Sequence, residues 1–189
     1  MNLLEYKKLT KYYLYNLFIN NMGICISRNH YPSNNEVEFF NFDGLKCKCK
    51  VIDVYDGDTI TVIIKLFDKV KNKKYKFNKY YKMKIRIYGI DTPEIKAPKS
   101  QLNRELEKQA SIYIREYVKT LILNKEVNIE CLKFGKFGRT LGHVSFKRNR
   151  QNIDLAKHLV ELGFAKEYFG KTKVEFSKEE LENIINTTV

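Results

Sequence analysis

The sequence predicts an α+β fold in which a small five-stranded β-barrel packs against about three α-helices. From about residue 45 onward, alternating or β-branched apolar segments recur, which is the pattern of β-strands. Longer segments between and after them carry apolar residues at helical spacing. The chain has 189 residues, 43% of them hydrophobic, including 12 Phe and 13 Tyr, so it can bury a substantial core.

Three strands come first and are predicted to form an antiparallel meander. Their sequences are "KCKCKVIDVYD", "DTITVIIKLF" and "YKMKIRIYGI". Successive side chains of a strand point to opposite faces, so the third strand separates its residues into an apolar and a charged set. Met83, Ile85 and Ile87 face one way, and Lys84 and Arg86 face the other.

Helices and two further strands complete the predicted domain. A long helix, "SQLNRELEKQASIYIREYVKTLIL", has Ser100 as its N-cap, and its apolar stripe contains Leu102, Leu106, Ala110, Tyr113 or Ile114, Tyr117 and Leu121. The strands "KEVNIECLK" and "RTLGHVSFK" flank "FGKFG". The helix "NIDLAKHLVELG" begins after Asn152 and ends at Gly163, and "SKEELENII" is capped by Ser177. This order is the layout of an oligonucleotide-binding barrel.

Residues 1–43 are predicted to form an N-terminal extension, partly disordered or anchoring, ahead of a barrel domain at residues 44–189. The stretch "LLEYKKLTKYYLYNLFI" has helical apolar spacing, but polar residues interrupt it too often for a membrane span or a persuasive secretion signal. "SRNHYPSNNEVE" is typical of a loop or linker. We therefore expect an intracellular, cytoplasmic protein.

A lipid-anchoring motif lies inside the extension. "MGICIS", from Met22 to Ser27, matches the N-myristoylation pattern if translation begins at Met22. Cys25 would then be a palmitoylation candidate, giving the two signals that stable anchoring requires. The alternative is a chance match, since Gly23 is internal in the chain as given. Membrane association by acylation stays open beside the cytoplasmic interpretation.

The charge of the chain favours a polyanionic partner. Lys and Arg number 35 against 22 Asp and Glu, which gives a net charge of +13. An excess of this size is typical of nucleic-acid-binding proteins. The alternative is codon bias, because Lys, Asn, Ile and Tyr codons are all rich in A and T.

Two short motifs carry groups that can do chemistry. "YDGDT", from Tyr55 to Thr59, and "IRIYGIDTPE", from Ile85 to Glu94, could each be an ordinary turn. Together they place Asp58 at the start of the second strand and Asp91 at the end of the third, which lie close together in a meander. Two carboxylates and a turn carbonyl form a hard oxygen site suited to Ca²⁺ or Mg²⁺.

Three further residues extend this predicted site. The turn carbonyl belongs to Thr92, and Arg86 points away from the apolar face and can reach the same place. Glu94 could hold a water molecule. Because none of these groups is a strong nucleophile, we expect water to be the attacking species.

"DGDT", "RIYGIDTPE" and "GKFGR", in this order and with a helix between the second and third, resemble the staphylococcal nuclease (thermonuclease) family. The resemblance runs from about Val51 to Phe169. It implies a five-stranded barrel with three helices that cleaves DNA and RNA with Ca²⁺ and leaves 3′-phosphates.

The resemblance also implies a role for each matching residue. The metal ligands would be Asp58, Asp91 and the Thr92 carbonyl, with Asp56 in the outer shell of the metal. The catalytic residues would be Glu94, which activates water, and Arg86 and Arg139, which hold the scissile phosphate. The nucleotide-binding residues would be Lys136, Phe137, Tyr168 and Phe169.

The chain departs from the family pattern in several places. Phe137 stands where the family usually has a tyrosine, which keeps stacking and loses a hydroxyl contact. In "EYFG" only Tyr168 and Phe169 stand where the family has further tyrosines. The connection at residues 67–80 is long and lysine-rich, and it either grips a nucleic-acid backbone or is a solvated loop. The C-terminal helix lacks the usual aromatic ending.

The sequence therefore predicts a monomeric, Ca²⁺-dependent endonuclease for DNA, RNA or both, preferably single-stranded. One alternative is a catalytically inactive nucleic-acid-binding module of the same fold, and another is a lipid-anchored adaptor. The enzyme is favoured because the metal carboxylates and both arginines are all present.

Overall fold

The computed structural model describes residues 42–66, 79–97, 103–135, 138–170 and 172–188. Within these ranges lie eight strands: β1 Lys46–Asp56, β2 Thr59–Leu66, β3 Lys79–Ile87, β4 Gly89–Asp91, β5 Glu126–Phe134, β6 Thr140–Arg148, β7 Gln151–Asp154 and β8 Lys166–Tyr168. Three helices accompany them: α1 Arg104–Ile122, α2 Leu155–Glu161 and α3 Lys178–Asn186.

Five of the strands form a closed barrel. They pair in the order β3-β2-β1-β5-β6, and β6 closes the barrel by pairing in parallel with β3. The other barrel pairs are antiparallel, which confirms the predicted meander of β1, β2 and β3. The predicted five-stranded barrel with three helices is therefore confirmed, and β7 adds one more antiparallel strand beside β6.

Side-chain alternation places the core inside the barrel. Ile85 and Ile87 of β3 are fully buried, Met83 packs against the core, and Lys84 is exposed, as the sequence predicts. Burying one such aliphatic side chain stabilises the fold by about 1.5–3 kcal/mol. The same alternation leaves Arg86 on the outer face of β3, at the end of the strand that borders the site.

Helix α1 covers the barrel with a stripe that shares only Ala110 and Ile114 with the predicted one. It contacts both β1 and α3, and its fully buried apolar residues are Ala110, Ile114, Val118 and Ile122. Of the predicted stripe, Leu106, Tyr117 and Leu121 are only partly buried. The N-cap of α1 is Asn103, so the prediction of Ser100, which lies outside the described residues, was wrong.

The other helix ends follow local hydrogen bonding. Asp154, rather than the predicted Asn152, caps α2, and its carboxylate accepts from the Lys157 N–H at 2.9 Å. Asn152 belongs to β7, which continues up to the helix. Gly163 follows the end of α2 with φ of +72°, and Ser177 caps α3 in a reciprocal capping box, as predicted.

A short second sheet lies next to the end of β3. Strand β3 ends at Ile87, and Gly89, with φ of +87°, turns the chain into β4. Asp91 therefore ends β4, and its predicted place at the end of β3 was wrong. Strand β4 pairs antiparallel with β8, with Gly89 opposite Tyr168 and Asp91 opposite Lys166. This pairing brings the chain around residue 168 beside β4.

The predicted extension lies outside the described residues except for Phe42 and Asp43, so its boundary stays a prediction. Phe42 packs edge-to-face on Phe134, with ring centroids 5.8 Å apart. Met22, Gly23 and Cys25 are not among the described residues. In the described part of the chain, each helix is too short or too polar to cross a membrane.

Candidate functional site

A cleft of about 700 Å³ lies beside the ends of β1, β3 and β4. It brings together most of the residues singled out in the sequence: Asp56, Asp58, Arg86, Thr92, Glu94, Arg139, Tyr168 and Phe169. Asp91 lies at its edge, held by Arg86. Lys136 and Phe137 lie outside the described residues, so their predicted role in nucleotide binding stays a prediction.

The turn between β1 and β2 places two carboxylates at the cleft. Asp56 ends β1, and Asp58 precedes β2 by one residue. Between them, a Cβ on Gly57 would lie 2.7 Å from Cγ2 of Ile114 and 2.9 Å from Cγ2 of Thr92. Only glycine fits so close to neighbouring atoms without displacing them. The turn is therefore fixed against Thr92 and helix α1.

Arg86 bridges two of the carboxylates. Its Nη1 lies 2.7 Å from Oδ2 of Asp58, and its Nη2 lies 2.8 Å from Oδ1 of Asp91. The other oxygen of Asp58 accepts a hydrogen bond of 2.8 Å from the Thr59 hydroxyl. The Arg86 side chain is only 16% exposed. Charge-assisted hydrogen bonds of this kind are strong when they are shielded from water.

Burial raises the pKa values of two carboxylates at the cleft, although Arg86 lies close to them. Asp58 is 2% exposed, and burial raises its pKa to about 7, with the Asp56 charge adding to the shift and Arg86 opposing it. Burial also raises the pKa of Asp56. Oδ1 of Asp56 is buried and has no hydrogen-bond partner among the described residues. Such a set of oxygen donors is suited to a hard divalent cation.

Glu94 is held at both its main chain and its side chain. Its N–H donates to Oε1 of Glu107, a buried carboxylate of α1, at 3.1 Å. Its own Oε1 lies 2.6 Å from Nζ of Lys173, which also lies 3.0 Å from Oδ1 of Asp91. Burial would lower the pKa of Lys173, but Glu94 and Asp91 raise it above its usual value. The ammonium group is therefore charged.

Lys173 and Glu107 are site residues that the sequence reasoning missed. Lys173 is 79 residues from Glu94 and lies outside every motif, so only the fold reveals the contact. Within the described ranges, no group of three or more His, Cys, Asp or Glu side chains is arranged to hold a metal ion as it stands. Arg86 and Lys173 instead occupy oxygens of Asp58, Asp91 and Glu94.

Aromatic rings line the other side of the cleft. Phe169 is 61% exposed and Tyr55 is 49% exposed. Tyr88 packs edge-to-face on Phe169, with ring centroids 5.8 Å apart, and on His143 at 5.3 Å. Tyr55 and Tyr88 were also missed, although both stand inside the two motifs. Exposed rings beside a cationic cleft can stack on nucleic-acid bases.

The comparison with protein families decides the relationship. The family model described as staphylococcal nuclease homologue matches residues 84–187, which is more than half of the chain. The chain belongs to this family. The matched range of this staphylococcal nuclease homologue contains Arg86, Asp91, Glu94 and Arg139. The resemblance found in the sequence motifs is therefore confirmed.

One curated relative of this staphylococcal nuclease homologue is an uncharacterized lipoprotein of Mycoplasma genitalium. The two sequences are 30% identical over 143 residues. The aligned part covers 73% of this chain and 50% of the lipoprotein. The chain thus spans about half the length of this relative.

Proposed function

We propose that this chain is a Ca²⁺-dependent endonuclease that hydrolyses phosphodiester bonds of DNA or RNA and leaves 3′-phosphate ends. The observation that carries the proposal is the convergence of Arg86, Asp58, Glu94 and Arg139 on one cleft in a member of the nuclease family. The cleft thus offers both signs of charge. Its carboxylates complement a cation, and its arginines complement the phosphate of the substrate.

The residues that would hold the cation are Asp58, Asp91 and the main-chain carbonyl of Thr92, with Asp56 behind them. The unpartnered, buried Oδ1 of Asp56 and the burial of Asp58, which raises its pKa, support this assignment, because a cation would stabilise carboxylates that are shielded from water. When bound, Ca²⁺ supplies polarisation of the phosphoryl group and offsets the charge that develops on it.

The two arginines bind the phosphate. A guanidinium group donates paired hydrogen bonds to phosphate oxygens, and Arg86 here donates to one oxygen each of Asp58 and Asp91. Arg139 lines the same cleft just before β6. Donors that are positioned in advance stabilise charge in the transition state, and the loss of one costs about 3–4 kcal/mol.

Glu94 takes the proton. Its carboxylate side chain is about half exposed, so a water molecule can reach it, while Glu107 fixes its main chain. As the water oxygen bonds to phosphorus, Glu94 accepts the water proton, the bond from phosphorus to the 5′-oxygen breaks, and the leaving oxygen takes up a proton from solvent water. The products are a 3′-phosphate on one fragment and a 5′-hydroxyl on the other.

The surroundings of the cleft favour a single-stranded substrate. Tyr88 and Phe169 can stack only on bases that are free of a duplex. Lys82 and Lys84, exposed on β3, extend the positive surface from Arg86 along the same face of that strand.

The test is an incubation of the purified chain with single-stranded DNA and with RNA, in Ca²⁺ or in EDTA. We expect cleavage in Ca²⁺, none in EDTA, and a loss of cleavage in Arg86→Ala. Binding without cleavage in Ca²⁺, Mg²⁺ and Mn²⁺ would contradict the proposal. It would favour the catalytically inactive binding module of the same fold instead.

We propose that the protein is intracellular and that, independently of its nuclease activity, it is anchored to a membrane by acylation. The curated relative is named a lipoprotein, and "MGICIS" supplies a myristoylation pattern if translation begins at Met22. Metabolic labelling with a myristate analogue would show acylation of the shorter product and none after Gly23→Ala. Absence of label in both would contradict anchoring and leave the nuclease proposal unaffected.

A further inference from the structure

Lys173 contacts both Glu94 and Asp91, two acids that the proposed chemistry needs. It lies on the segment between β8 and α3, outside all the sequence motifs. Its Nζ is 2.6 Å from Oε1 of Glu94 and 3.0 Å from Oδ1 of Asp91. One ammonium group therefore joins the residue assigned to proton transfer to a residue assigned to the metal.

Oδ1 of Asp91 is shared between two positive groups. Nη2 of Arg86 lies 2.8 Å from this atom. Nζ of Lys173 lies 3.0 Å from the same atom. A Ca²⁺ ion would need carboxylate oxygens at about 2.3–2.6 Å. An ammonium group that already holds the same carboxylate repels such an ion and competes with it for the oxygen.

We propose that Lys173 is a positioning residue that occupies Asp91 and Glu94 in the ion-free protein and is displaced from Asp91 by the divalent cation. This inference rests on the proposed function. Lys173 then sets the cation concentration at which the site fills, because each binding event must first break its contact with Asp91. It also holds the Glu94 side chain at the cleft before the ion arrives.

The size of the effect follows from the exposure of the lysine. The Lys173 side chain is 43% exposed, so solvent screens its attraction for the two acids. We expect Lys173→Met to tighten Ca²⁺ binding by about twofold to fivefold, which is the scale of a partly exposed ion pair. Lys173→Arg keeps the charge, so it should bind Ca²⁺ about as weakly as the wild type.

Lys96 offers a matched control. It lines the same cleft and is exposed, and it forms no ion pair with any residue of the described ranges. Lys96→Met removes the same charge from the same cleft without touching Asp91 or Glu94. We expect it to change the Ca²⁺ affinity by less than about twofold, because only screened, long-range repulsion is lost.

The experiment is isothermal titration calorimetry of the full chain with CaCl₂, without substrate, on the wild type, Lys173→Met, Lys173→Arg and Lys96→Met. Tighter binding in Lys173→Met alone supports the inference. Equal affinities in Lys173→Met and Lys96→Met, with Ca²⁺ bound by the wild type, would overturn it and leave the proposed function standing. If no variant binds Ca²⁺, the proposed role of Ca²⁺ fails and the inference falls with it.

Discussion

The two halves of the cleft are built in opposite ways. In the acidic half, defined by Asp56, Asp58, Arg86, Asp91 and Glu94, Arg86 holds Asp58 and Asp91, Lys173 holds Glu94, and Asp58 is 2% exposed. In the aromatic half, defined by Tyr55, Tyr88 and Phe169, Phe169 is 61% exposed. Positions fixed by several partners suit bond breaking, and exposed rings suit the binding of varied bases. Single substitutions should therefore have large effects in the first half and moderate effects in the second.

The largest effect is expected for Glu94→Gln. The amide cannot accept the water proton, so kcat should fall by about 10²–10⁴-fold. The Glu94 side chain is half exposed, so the melting temperature should hardly change. Single-turnover cleavage of a labelled oligonucleotide measures the rate. Glu161→Gln, on the exposed surface of α2, is the control, and equal rates in the two variants would remove Glu94 from the mechanism.

The next effect is a pH dependence of stability that belongs to the acidic half. The pKa of Asp58 is raised to about 7 in the folded chain, from about 3.9 in the unfolded chain. The folded state therefore binds more protons between these values, and the free energy of unfolding in EDTA should fall as the pH rises from 4 to 7. Urea denaturation at several pH values should show this decline, and Asp58→Asn should lack its share of it. Parallel curves for the two proteins would contradict the shift.

A smaller effect is expected in the aromatic half. Stacking of one base on an aromatic side chain contributes about 1–3 kcal/mol. We expect Phe169→Ala to raise KM by about tenfold, with kcat nearly unchanged, and Phe169→Tyr to behave like the wild type. Steady-state kinetics on single-stranded DNA separates the two constants. A loss in kcat alone would place Phe169 in the chemistry rather than in binding.

The smallest effect concerns the lysines on β3. Lys82→Gln with Lys84→Gln should reduce the salt dependence of binding by about 0.7 per lysine in the log–log slope for a single strand. Fluorescence anisotropy with a labelled oligonucleotide at several salt concentrations measures this slope. Lys157→Gln with Lys178→Gln removes two exposed lysines from α2 and α3 as the control. An equal change in both pairs would show that only net charge matters.

Sequence patterns predicted the parts of the fold that depend on neighbours along the chain. The alternation in β3 gave the buried Ile85 and Ile87, and the place of Ser177 at the start of "SKEELENII" gave the cap of α3. The place of Asp91 could not be predicted, because the left-handed turn at Gly89 moves it into β4. The α1 stripe was shifted because that helix packs against α3 as well as the barrel.

The site shows the same division between local and distant information. Asp58, Arg86 and Glu94 stand in two motifs whose spacing already indicates a common site. Lys173 reaches Glu94 from 79 residues away, through the pairing of β4 with β8 and the segment that follows. Nothing in its local sequence distinguishes it from the other lysines of a lysine-rich chain.

We propose that the acidic half of the cleft hydrolyses phosphodiesters with the help of Ca²⁺. The most direct measurement is cleavage of a labelled single-stranded oligonucleotide by the wild type and Asp91→Asn over a range of Ca²⁺ concentrations, with analysis of the product ends. We predict Ca²⁺-dependent cleavage that leaves 3′-phosphates, and a rate about 10²-fold or more lower in Asp91→Asn, because a charged ligand is lost. Tight binding without cleavage, or equal rates in the two proteins, would contradict the claim.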